Sequence, residues 1–195
     1  FAQRLFTSTP ADGRLFEVGT AWTVYAQANP PGPTPGPGPT PTPGQTFTLT
    51  TAIQTTPATG TAPANQVFTA PAGQSILGVA LNTLQSGDVL NGSTGNVLNA
   101  TIVENAAAIV PTLNNIATVN LTALVPMVGG LNLGLGTTSA STVGDVGSVG
   151  NTLVTGFNTP VTTLNKSGGI ARNTTLTAAA ATLAGATDTL QVNLS

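Results

Sequence analysis

Five short stretches in which apolar and polar residues alternate constrain this chain most: TFTLT at 46 to 50, NVLNATI at 96 to 102, TVNLT at 118 to 122, LNLGL at 131 to 135 and LQVNL at 190 to 194. Period two places one set of side chains on each face of a strand, so each stretch reads as a half-buried strand. Turn formers lie between them, such as Ser86-Gly87-Asp88, Asn91-Gly92, Gly129-Gly130 and Ser167-Gly168-Gly169. Strand centres fall near 48, 68, 79, 100, 121, 133, 153, 162, 176 and 192, with many steps close to 20 residues or half of that. Residues 45 to 195 are therefore expected to be mainly β, as a β-solenoid or a β-sandwich-like Thr/Asn-rich domain. Both architectures use the same strands. The 4% aromatic content leans toward the solenoid, whose thin core has little room for large rings. The run TAAAATLAGA at 177 to 186 reads either as a short helix or as part of the strand pattern around it.

Charge narrows the function. Only 5% of the 195 residues are charged, against about 25% in an ordinary domain. Beyond residue 45 the charges are Asp88, Glu104, Asp145, Lys166, Arg172 and Asp188 alone. With no His and no Cys, Ser-His and Cys-His triads, His-ligated metals and disulfide frameworks are excluded. Threonine and serine remain as nucleophiles, but no Gly-x-Ser-x-Gly elbow occurs, and the chain reads as a non-enzyme. A net charge of -2 offers no basic face to phosphates, so no nucleic-acid partner is expected. No apolar run approaches the roughly 20 residues needed to span a bilayer.

Residues 30 to 44, PPGPTPGPGPTPTPG, hold eight prolines and four glycines and can join neither a helix interior nor a central strand. They read as a spacer, able to hold its ends about 45 Å apart at polyproline II rise. Before it, residues 1 to 29 form an N-terminal docking segment. Thr9-Pro10 suits a helix start, and Leu15, Val18, Trp22 and Tyr25 recur at helical spacings, which predicts a short helix there. Phe1, Leu5, Phe6 and Phe16 join them as an apolar stock too rich for an isolated piece, so these eight residues are the expected subunit contact. The chain opens at Phe1 without an initiator Met, which reads as a processed or excised piece.

An aromatic-containing tail, a Pro/Thr spacer and then TFTLTT opening a Thr-rich β region together resemble bacterial surface-layer and RTX-type extracellular β-repeat proteins secreted through type I systems. SGDVLNGSTGNVLNATI at 86 to 102 is similar to their repeat environment, and LNNIATVNLT at 113 to 122 to the strand that follows it. The resemblance implies calcium repeats, yet Gly92-Ser93-Thr94-Gly95-Asn96 carries Asn96 where an acidic ligand belongs, and Pro63-Ala64-Asn65-Gln66 offers only amides. The calcium ligands are largely lost. Asp88, in a Ser-Gly-Asp turn, is the best single metal candidate, but it reads first as an Asx-turn residue; Asp145 and Asp188 also read as turn residues. No other cofactor is expected.

The expected function is that of a structural subunit of an extracellular self-assembling array or filament, located outside the cell or on a bacterial surface, with copies of itself as partners. Low charge favours this, because surfaces rich in Thr and Asn pack together with little charge to desolvate. A surface adhesin or carbohydrate-binding module, with cell-surface polysaccharide as partner, is the alternative. Against it, beyond residue 30 the only aromatic residues are Phe47, Phe68 and Phe157. Sequons at Asn91, Asn99, Asn120, Asn165, Asn173 and Asn193 follow from the abundance of Asn and Thr.

Overall fold

The computed structural model describes residues 15–18, 21–24, 44–137, 140–168, 172–178, 182 and 189–195. The chain divides into two units, 1–42 and 43–195. In the first, β1 (Leu15–Val18) and β2 (Ala21–Val24) pair antiparallel, Val18 opposite Ala21 and Leu15 opposite Val24. The helix expected across Leu15, Val18, Trp22 and Tyr25 is thus corrected, over the described residues, to a strand pair. Gly19 between two runs rich in β-branched and aromatic residues costs a helix about 1 kcal/mol, and the same residue types favour strands. Phe1, Leu5, Phe6, Tyr25 and the spacer up to residue 43 lie outside the described residues, as do the side chains of β1 and β2.

The second unit is a parallel β-solenoid of about six turns. Seven strands stack in its main sheet: β3 (Thr46–Thr48), β5 (Val67–Ala70), β8 (Val89–Ile102), β9 (Thr112–Ala123), β11 (Thr142–Val146), β13 (Thr163–Ser167) and β15 (Gln191–Leu194). The short β4 (Thr55–Thr56) pairs with the first leg of β8. A second parallel sheet joins β10 (Leu131–Asn132), β12 (Thr152–Phe157) and β14 (Thr174–Ala178). Isolated parallel bridges join Ile109, just before β9, to Leu131 of β10, and Thr112 of β9 to Leu135, just beyond β10. One antiparallel hairpin, β6 (Ala72–Gln74) with β7 (Ala80–Asn82), projects from the coils. The ambiguous run 177 to 186 contributes Thr177 and Ala178 to the end of β14, and most of the remainder lies outside the described residues.

Alternation decides what faces inward. Phe47, Phe68, Leu98, Val119, Val143, Leu164 and Val192 stand opposite one another, strand after strand, in a single ladder. All but its two ends are buried, and the Phe47 and Phe68 rings stack at 5.2 Å. Each fully buried Leu, Val or Phe contributes about 1.5–3 kcal/mol of transfer free energy, so repetition along the stack supplies the core that a thin coil lacks by itself. Leu131 of β10, Leu133 just after it and Val154 of β12 belong to the same buried core.

Corners need backbone that most residues resist. Asn65, Gly95 and Asn115 adopt φ of 58°, 75° and 54°, each just before a leg of the main sheet. Asparagine and glycine are the residues that tolerate this region. Gly95 is further required because a Cβ there would lie 2.2 Å from Asn65 Oδ1 on the preceding coil.

Candidate functional site

The second inward ladder runs Ala70, Ala100, Leu121, Asp145, Lys166 and Leu194. Two charged side chains therefore occupy positions that earlier coils fill with aliphatic residues. Lys166 Nζ lies 2.5 Å from Asp145 Oδ2, with 8% and 1% of the two side chains exposed. The Thr174 hydroxyl accepts from Lys166 Nζ at 2.8 Å and donates to Asp145 Oδ2. Burial pushes the Asp145 carboxyl up, but Lys166, Ser148 and Thr174 together outweigh it and hold it below the usual carboxylate range. Asp145 is thus a core residue of β11 and not the turn residue its sequence context suggested. What places it inside is parity: it stands two residues after the buried Val143. Enclosed and mutually neutralised, the group serves to fix one coil on the next.

Asp88 is fully buried, and each of its carboxylate oxygens accepts a backbone N–H: Oδ1 from Gln54 at 2.9 Å and Oδ2 from Gln85 at 2.8 Å. It clasps its own turn to a loop 34 residues upstream. Desolvation raises its carboxyl above the usual value, and the two backbone hydrogen bonds only moderate this. Among the described residues no three acidic groups gather where a metal could sit. Asn96, where a calcium repeat would place its acid, is buried and accepts Gln66 N–H at 2.9 Å, so this position links coils.

The outer face of the main sheet is built differently. Asn120 Nδ2 donates to Asn99 Oδ1 at 2.8 Å and Asn193 Nδ2 to Asn165 Oδ1 at 2.7 Å, along one outward column. Gly144 lies between Asn120 and Asn165 in that column, under the Asn120 side chain. At its two ends the sheet stops, among the described residues, at single-sided strands: β3 pairs there with β5 alone and β15 with β13 alone. On β15 the ladder residues Val192 and Leu194 are 51% and 69% exposed, beside Leu190 at 49%. Among the described residues no helix is long and apolar enough to cross a membrane. No protein-family model, curated protein or solved structure matches this chain.

Proposed function

We propose that this chain is a structural subunit of an extracellular array or filament, assembled from copies of itself on a bacterial surface. The observation that carries this reading is the β15 edge, where the two inward ladders continue into Val192 and Leu194, both exposed, with none of the described residues over them. An open strand edge with exposed apolar ladder residues is a template for a further strand. Neither β3 nor β15 bears a charged residue that would oppose such pairing. The connector in this reading is residues 1 to 29, with Phe1, Leu5, Phe6, Leu15, Phe16, Val18, Trp22 and Tyr25 as the subunit contact. Their strand-forming part suits addition to an edge, and the spacer supplies the reach. A contact between unlike surfaces need not close on itself, so it generates open polymers.

Deletion of residues 1 to 29 tests the connector. Light scattering should show assembly lost while the β-sheet circular dichroism and the melting temperature of the solenoid stay unchanged. A truncated chain that assembles as well as the full one overturns the role given to this segment.

A further inference from the structure

We propose that the outer face of the main sheet is a binding surface for ordered water, that is, for the face of an ice crystal. Outward positions on its seven strands carry no charged and no aromatic residue. Thr118, Thr142 and Thr163 stand in register on three successive strands, and among the described residues their hydroxyls have no protein partner. Beside them runs the asparagine column, whose amides are held in fixed orientation by the bonds from Asn120 to Asn99 and from Asn193 to Asn165.

The result is a grid of positions about 4.8 Å apart across the strands and about 6.6 Å apart along them, with threonine hydroxyls and methyls on three adjacent strands, Val67 and Val97 continuing their column, and Gly144 interrupting the amides. Oxygen repeats of similar size run along the planes of ice. Water bound to such a grid is already arranged as a lattice, and the rigid stack spares the entropy of ordering the surface on contact. A charged side chain would hold its own hydration shell and break the arrangement.

Two rival occupants fit less well. Seven strands make a face of roughly 30 by 15 Å, or about 450 Å², by strand spacing. A stable protein interface takes about 800 Å² from each partner. A polysaccharide would be expected to find aromatic rings to stack on, and this face presents none.

The test grows single ice crystals in solutions of the full chain, of a Thr142→Lys/Thr163→Lys variant and of a Val192→Lys variant altered only at the sheet end. All three are first matched by circular dichroism and melting temperature. Faceted crystals and a concentration-dependent gap between melting and growth temperatures are expected for the wild type and Val192→Lys, and loss of both for the double variant. Rounded crystals and no gap with the wild type overturn the proposal. So does a double variant as active as the wild type, or a wild type that sediments with crystalline cellulose and leaves ice unchanged.

Discussion

Lys166 and Asp145 stand directly opposite each other on adjacent parallel strands, their charged atoms 2.5 Å apart, in the ladder position held by Ala70 and Ala100 nearer the start of the stack. Pairing and the Thr174 hydroxyl make this tolerable. Removing one partner leaves a buried charge uncompensated, which costs about 3–5 kcal/mol, whereas replacing both by apolar residues of similar volume is often neutral or stabilising. Lys166→Met should therefore lower the urea unfolding free energy by that amount, and Asp145→Leu combined with Lys166→Met should restore most of it. Because the Asp145 carboxyl is held low, its contribution is complete above the unfolded value of 3.8 and is lost as pH falls through its folded value. The double variant should lack that acid-dependent loss.

Asp88 has the opposite sign. Its carboxyl is raised in the folded state, so the native chain binds the proton more tightly than the unfolded one. Stability should fall as pH rises from 3.8 through the folded value and level off above it. Asp88→Asn should remove this slope in pH-dependent urea titrations, while losing one of the two backbone N–H bonds at a cost of about 1–3 kcal/mol. With both oxygens of Asp88 committed, melts in calcium and in chelator should coincide. A large calcium-dependent rise in melting temperature would contradict this, since a ligand that binds only the native state stabilises it.

Gly95→Ala should destabilise the solenoid by about 1–2 kcal/mol through its left-handed backbone alone. The added Cβ must also displace the Asn65 side chain, 2.2 Å away. Thermal unfolding measures the sum, and a melting temperature equal to that of the wild type would show that this corner is not strained by a side chain.

Much of the solenoid is legible as alternation. TFTLT, NVLNATI, TVNLT and LQVNL correspond to β3, the second leg of β8, the second half of β9, and β15. Their inward residues form the ladders because parity alone assigns the faces. The choice of solenoid over sandwich is not written in any single strand, since it depends on parallel pairing between residues some 20 to 30 positions apart, such as Val97 with Thr118 and Val67 with Val97. β11 escapes notice for a local reason. Its sequence TVGDV holds a glycine that fits under Asn120 and an aspartate that pairs with Lys166, and neither compensation is visible within five residues. The segment around Trp22 misleads in the other direction: spacings of three and four coexist there with β-branched and aromatic residues, and strand pairing prevails.

Negative-stain imaging of the purified full chain beside a Leu194→Lys variant tests the assembly account most directly. The account predicts fibres or a lattice from the wild type, and dispersed particles from a variant with unchanged circular dichroism, because a charge at the open edge opposes a further strand. Dispersed particles from the wild type at every concentration, or equal assembly by the variant, would contradict it.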